Sequence, residues 1–159
     1  MRWAPLALAL LSACAGIERS SIEQAEFDLA GRIAARYRDE SFSGNLAWRH
    51  ARSADEMLIS TALGQGVARI VRDGEAVTLT TAEPREYKAT DAESLTEQVL
   101  GFRVPLAGLA HWVQGLPAPE LESRGWKVEY QERDAEGRPK RLRVTYPGVE
   151  LRLAISEWK

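Results

Sequence analysis

The chain has 159 residues, of which 45% are hydrophobic and 28% are charged, and its formal net charge at pH 7 is −2. This composition is typical of one globular domain and excludes an intrinsically disordered chain. The acidic balance argues against a nucleic-acid-binding protein, and the single cysteine excludes a disulfide framework and any multi-cysteine metal site.

The N-terminal segment has the pattern of a bacterial lipoprotein signal. Arg2 precedes an apolar run that is long enough for a secretory signal and too short to span a bilayer, and small residues then lead directly to Cys14. We therefore predict a signal peptide over residues 1–13, lipidation of Cys14 and a lipid-anchored tether over residues 14–26. By resemblance to enterobacterial lipoproteins, Ala15 favours export to the outer membrane. The alternative is an ordinary secretory signal followed by an incidental buried cysteine.

Alternation of apolar and polar residues predicts antiparallel strands through most of the remaining chain. Over residues 27–37, one parity is apolar and the other is mostly charged, as in a half-buried strand. Asp73-Gly74 is a strong two-residue hairpin signal. Further strands are predicted over residues 42–48, 57–61, 66–71, 77–81, 86–89, 126–130, 142–146 and 149–155.

The hydrophobic period changes to that of a helix near residue 91. Thr90 and Glu93 have capping-box spacing at the start of a first helix. A second helix is predicted with Pro105 at its first position and Gly115 at its C′ position. The many antiparallel strands interrupted by two short helices favour a mainly β fold, in which a single curled sheet tends toward a barrel and the helices cover its concave side.

No motif in the sequence points to catalysis. The glycines at 64 and 66 lie between two strands and lack the strand-to-helix context of a nucleotide loop. His50 and His111 have no carboxylate or second histidine at ligand spacing, so we expect both to be ordinary surface residues and predict no metal site. The basic run over residues 138–143 is read as a solvated turn, the alternative being contact with anionic headgroups or an acidic partner protein.

The apolar face of the sheet leaves one question open. Five tryptophans and an alternating apolar face are typical of a packed core. Periodicity alone does not distinguish a filled barrel from one that encloses a ligand cavity.

Three segments together carry a family resemblance. The first is Phe27-x-Leu29-x-Gly31-Arg32-Ile33 with Trp48 after it, and the second runs from residue 58 to residue 64. The most specific is Pro-Leu-x-x-Leu-x-x-Trp-Val-x-Gly-Leu-Pro over residues 105–117. With the lipobox and Trp158, these segments resemble the LolB family of outer-membrane lipoprotein receptors, over a single domain spanning residues 27–159.

The resemblance implies an incomplete barrel with a helical lid near residues 91–115 over a hydrophobic cavity. Such a protein would receive lipoproteins from the periplasmic carrier LolA, shield their acyl chains and insert them into the outer membrane. It would act there as a non-enzymatic monomer without a cofactor, anchored at Cys14 and facing the periplasm, with LolA, client acyl chains and outer-membrane lipids as partners. The alternatives are a lipid-anchored structural or interaction module, or a carrier of another hydrophobic ligand without insertion activity.

Site residues are expected on the same grounds. Leu63, at the predicted hairpin tip, would protrude and take part in membrane insertion; the alternative is that it folds back into the core. The apolar strand and helix residues expected to line or close the cavity are Phe27, Leu29, Ile33, Leu46, Trp48, Leu58, Leu95, Val99, Phe102, Leu106, Leu109, Trp112 and Val113.

Overall fold

The structure is a computed structural model that describes Ile22, residues 24–83 and residues 85–159. The predicted signal peptide, Cys14 and most of the predicted tether lie outside the described residues. No helix in the described part of the chain is long and apolar enough to cross a membrane.

Nine strands and three helices form the described fold. They are, in chain order, β1 (Phe27–Tyr37), β2 (Glu40–Ala51), β3 (Ala54–Ser60), β4 (Gly66–Asp73), β5 (Ala76–Thr81), β6 (Glu86–Ala89), α1 (Ala92–Leu100), α2 (Leu106–Val113), α3 (Pro119–Ser123), β7 (Lys127–Arg133), β8 (Pro139–Tyr146) and β9 (Val149–Trp158).

The strands make one antiparallel sheet in the order β6-β5-β4-β3-β2-β1-β9-β8-β7. Within the described residues no ladder joins β6 to β7, so the sheet is open rather than closed into a barrel. The chain leaves the sheet at one edge, β6, and returns at the other edge, β7. The helices lie in this connection, and their apolar sides cover the concave face. The predicted fold class, an unclosed curled sheet with a helical lid, is confirmed.

A glycine sets the contact between the first and last strands. The register of β1 against β9 shifts between Ala30 and Gly31. A Cβ atom at Gly31 would collide with the backbone carbonyl of Ala154. The close approach of the two strands at this bulge therefore requires glycine in the first of the three family-like segments.

The starts of α1 and α2 differ by one residue from the sequence prediction, whereas Gly115 follows the C-cap of α2 as predicted. The N-cap of α1 is Asp91, whose carboxylate accepts a hydrogen bond from the backbone N–H of Ser94 at 2.7 Å, so the expected capping box starting at Thr90 is wrong. Pro105 precedes α2 instead of opening it. The third helix, α3, was not predicted, because five residues are too few for a helical period to show.

Candidate functional site

A cavity of about 430 Å³ lies between the concave face of the sheet and the helices. Its lining is mostly apolar, and its volume falls within the range of roughly 300–1,000 Å³ that is usual for small-molecule sites. The barrel is thus neither completely filled nor closed, which answers the question that the periodicity left open.

Nine of the thirteen residues expected at the cavity do line it. Three others, Phe27, Leu29 and Trp112, are buried in the hydrophobic core without reaching the cavity. The nine that line the cavity are Ile33, Leu46, Trp48, Leu95, Val99, Phe102, Leu106, Leu109 and Val113.

Leu58 does not lie where the sequence placed it. Its neighbours Met57 and Ile59 line the cavity, while Leu58 points to the convex face and is 45% exposed. Because successive side chains of a strand alternate between faces, a strand with three consecutive apolar residues must present one of them outward.

Several lining residues come from strands to which the sequence assigned no cavity role. β8 contributes Leu142 and Val144, and β9 contributes Leu151 and Leu153. Their alternating pattern is visible in the sequence and marked them as facing inward. What the sequence does not give is the order of the strands, which places β9 directly beside β1.

The end of the sheet where β1 begins is closed by a buried polar cluster. Asp55, 2% exposed, accepts a hydrogen bond from Trp48 Nε1 at 2.8 Å and one from Arg72 Nε at 2.6 Å. His50 Nδ1 lies 2.6 Å from the same carboxylate, and the His50 ring stacks on Phe27 at 4.9 Å between centroids. The expectation that His50 is an ordinary surface residue is therefore wrong, whereas His111 is exposed.

The register explains how this cluster forms. His50 lies directly opposite Asp55 across the β2–β3 turn, and Asp55 lies opposite Arg72 on β4. All three occupy the inward parity of their strands. Arg72 also donates to the backbone carbonyls of Ala51 and Gly74, so it joins the two hairpins at this end.

Hydrogen bonds of polar side chains connect the segments of the lid to one another and to the sheet. Thr96, buried on α1, donates to the carbonyl of Glu93 and accepts from the backbone N–H of Val104 at 2.8 Å. The Tyr130 hydroxyl of β7 donates to the Trp112 carbonyl at the end of α2, at 2.9 Å. Burial raises the pKa of Tyr130 above its ordinary value. The hydroxyl of Thr96 is thus engaged within the protein although its side chain borders the cavity.

An exposed ion-pair network links the two ends of the lid. Both carboxylate oxygens of Glu93 on α1 accept from the guanidinium of Arg124, just after α3, at 2.7 Å each, and Arg103 Nε donates to Glu93 at 3.3 Å. These bonds, chiefly the one to Arg124, hold the pKa of Glu93 below its ordinary value against the opposing effect of burial.

The opposite end of the sheet is the open one. Tyr37, the last residue of β1, packs against Phe102 of the lid with ring centroids 4.8 Å apart, and Phe42 is exposed beside them. All three line the cavity. Glu40, Ser41 and Thr81 also border the cavity at this end, which makes it the most polar part of the lining.

Leu63 projects from the turn between β3 and β4 at the same open end. Its side chain is 90% exposed, which excludes the alternative that it folds back into the core. The turn is held by two backbone hydrogen bonds, from Thr61 N–H to the Gln65 carbonyl and from Gly64 N–H to the Thr61 carbonyl. Gly64 has φ +82°, a conformation that favours glycine.

The comparisons with known proteins agree on one family. The sequence model described as "Outer membrane lipoprotein LolB" matches residues 25–158. Curated proteins named "Outer-membrane lipoprotein LolB" are 38% identical in Thiobacillus denitrificans, over 82% of this chain and 78% of that protein, and 36% identical in Azoarcus, over 95% and 90%. The chain belongs to the LolB family. It is accordingly an outer-membrane lipoprotein of that family.

The matches among solved structures include a protein of low sequence identity. The crystal structure of a LolA superfamily protein from Nitrosomonas europaea aligns with 87% of this LolB-family chain and 87% of its own, at 9% identity and a TM-score of 0.49.

The most specific LolB-like segment, residues 105–117, forms α2 and the turn after it. Leu106, Leu109 and Val113 line the cavity from this helix. A Cβ atom at Gly108 would collide with the side chain of the buried Leu121, so this position lets α3 pack closely on α2. The segment thus supplies the cavity-facing residues of α2 and the close packing contact between α2 and α3.

Proposed function

We propose that this protein receives lipoproteins from LolA, shields their acyl chains in the cavity and inserts them into the outer membrane. The observation that carries the proposal is the apolar cavity of about 430 Å³ under the helical lid. The protein would bind and transfer lipoproteins rather than catalyse a reaction, and it would act as a monomer without a cofactor. An acyl chain exposed to water costs about 0.8 kcal/mol per CH₂, so a carrier must shield it.

Anchor and tip would have different tasks. Lipidation of Cys14 after removal of residues 1–13 would fix the molecule to the outer membrane, facing the periplasm, through the tether of residues 14–26. Residues 27–159 would form the functional domain. Leu63 would enter the bilayer during delivery, because a fully exposed leucine on a glycine-containing turn has no partner within its own turn. β1 starts at the closed end, opposite Leu63, so the tether and the tip leave the domain at different ends.

Cavity occupancy is the first test. A fluorescent fatty acid is expected to bind the native protein at one site and to be displaced by a triacylated lipoprotein passed on from LolA. Binding of the fatty acid without any transfer from LolA would favour the carrier of another hydrophobic ligand. Absence of both would favour a structural or interaction module.

The role of Leu63 is tested by Leu63→Glu, with Leu116→Glu as a matched control because Leu116 is also an exposed leucine but lies after α2. Leu63→Glu should keep acceptance of lipoprotein from LolA and slow its delivery into vesicles. Leu116→Glu should leave both steps unchanged. Delivery at the normal rate by Leu63→Glu would remove the proposed role.

The anchor is tested separately by Cys14→Ser. This substitution should abolish incorporation of radioactive palmitate and leave the precursor uncleaved, while fatty-acid binding persists because the cavity lies entirely after residue 27. Unchanged palmitate incorporation would refute lipidation at Cys14.

A further inference from the structure

The convex face of β8, β9 and β1 carries a group of arginines that the sequence does not show as one surface. Their apolar neighbours on the same strands face the cavity and core, so these side chains occupy the opposite, outward parity of their strands, and Arg152 also borders the cavity at its open end. We call them the arginine face: Arg32, Arg36, Arg141, Arg143 and Arg152.

The register brings like charges together on this face. Arg143 of β8 lies directly opposite Arg152 of β9, and Arg32 and Arg141 flank Ala154 from either side. Like charges placed directly opposite each other on one face of a sheet destabilise it. An arrangement that costs stability within the protein suggests that an external anion compensates it.

Carboxylates of the protein compensate this charge only in part. Glu150 of β9 approaches three of the arginines, with Arg152 at 2.8 Å, Arg36 at 3.5 Å and Arg143 at 3.7 Å. Glu129 lies 3.6 Å from Arg143. Positive charge remains in excess on this face, while the whole chain has a formal net charge of −2.

A further acidic group near the face, Glu132, is shared with another cation. Glu132 lies 3.7 Å from Arg141 but closer, at 2.9 Å, to Lys140. Two members of the face, Arg36 and Arg152, stay open to solvent, with side chains 64% and 55% exposed. The basic run of residues 138–143 thus contributes two side chains to a surface whose other members come from β1 and β9.

The face has a depression next to two of its arginines. A shallow depression of about 260 Å³ lies between Arg36 and Arg152. Its lining includes the small side chains of Ala34, Ser41 and Ser43, and also Glu150, whose carboxylate pairs with both arginines. Guanidinium groups bind phosphate oxygens through paired hydrogen bonds. Arg36 lies opposite Ser41, four residues beyond the Asn45–Ser60 pair and toward the open end, so it lies near the level of the Leu63 turn.

We propose that the arginine face binds the phosphate groups of an anionic membrane surface while the Leu63 turn contacts the bilayer. This inference rests on the proposed function, since it assigns the orientation in which delivery takes place. Attraction to anionic lipids adds to apolar burial in proteins that bind at a membrane interface. The face would hold the open end of the cavity toward the bilayer.

The test uses the chain from residue 14 onward with Cys14→Ser, so that neither the apolar signal peptide nor an acyl anchor contributes to binding. Flotation is measured with vesicles of equal parts phosphatidylethanolamine and phosphatidylglycerol, and with neutral vesicles of phosphatidylcholine. The test variant is Arg143→Gln/Arg152→Gln. The matched control is Arg85→Gln/Lys88→Gln, which removes the same charge from exposed side chains near the β6 edge. Thermal melts verify folding of each variant.

We expect the anionic vesicles to bind the unsubstituted face more tightly than the neutral ones, and high salt to remove the difference. The arginine variant should bind anionic vesicles roughly 10- to 30-fold more weakly, with neutral vesicles and the control variant unaffected. An equal loss in the control would show bulk charge alone and overturn the proposal. So would unchanged vesicle binding combined with weaker binding to LolA, which would identify an acidic protein as the partner instead.

Failure here is distinguishable from failure of the proposed function. If the arginine variant binds normally but Leu63→Glu still slows delivery, only the orientation is wrong. If fatty acid and lipoprotein never enter the cavity, the transfer function fails whatever the vesicles show.

Discussion

The two ends of the sheet follow opposite rules. At the closed end, charged and polar groups are buried: Asp55 is held by Trp48, His50 and Arg72. At the open end, apolar groups are exposed, with Leu63 at the tip and Phe42 at the cavity mouth. Ordinary burial preferences would predict the reverse at both ends.

The difference shows which end is built to stay fixed. A buried carboxylate with several hydrogen-bond donors has one acceptable geometry, so the closed end fixes the register of three strands, β2, β3 and β4. Exposed apolar groups have no such requirement and gain free energy when a membrane or an acyl chain replaces water around them. Single substitutions at either end test this difference.

The largest effect on stability is expected at the closed end. Asp55→Ala removes the acceptor of the buried Trp48 N–H and the carboxylate partner of the half-buried Arg72, and removing one partner of a buried charged pair costs about 3–5 kcal/mol. Urea unfolding should show this loss. Glu86→Gln, which removes an exposed ion pair with Lys88, should change the free energy of unfolding by less than about 1 kcal/mol. A loss for Asp55→Ala no larger than for this control would mean that the cluster does not fix the end.

Strand parity gave the inward-facing residues of β1 and β2, because the large apolar side chains there occupy only one parity. It failed in β3, where Met57, Leu58 and Ile59 are all apolar and the pattern does not say which one points outward. It also failed at His50. This residue continues the inward parity of Trp48, but its partner Asp55 becomes visible only once the turn at residues 52 and 53 fixes the register.

The pairing of strands that are distant in the chain could not be predicted from the sequence, for a different reason. The arginine face draws residues from β1 and from β8 and β9, which follow β1 by more than a hundred positions in the chain. Within each strand alone, the arginines look like ordinary residues of a solvent-facing side. Only the pairing of β9 with β1 reveals that the charges meet.

A smaller effect is expected for the lid. Leu109→Asp places a carboxylate in the apolar lining and should lower the free energy of unfolding by about 1–3 kcal/mol, with loss of fatty-acid binding. Leu116→Asp, on an exposed leucine just beyond α2, is the control and should retain both properties. Normal fatty-acid binding by Leu109→Asp would show that α2 does not face the ligand.

The smallest effect on stability is expected for the ion pair between Glu93 of α1 and Arg124 after α3, which joins two parts of the lid. Glu93→Gln weakens the paired hydrogen bonds to Arg124 and should lower the free energy of unfolding by about 1 kcal/mol at neutral pH. Glu97→Gln removes a single, more exposed contact with Arg103 and serves as the control, with a smaller change expected.

The pH dependence of this difference separates an ion pair from a packing effect. The folded protein holds the pKa of Glu93 below its ordinary value of 4.5, chiefly through the hydrogen bond from Arg124. A carboxylate with a lowered pKa in the folded state stabilises it above the ordinary pKa, and the stabilisation is lost as the pH falls through the folded value. The stability gap between the native protein and Glu93→Gln should therefore be constant from neutral pH down to about 4.5 and shrink below it. A gap that persists under acid conditions would show that the glutamine disturbs packing of the lid and that the ion pair contributes little.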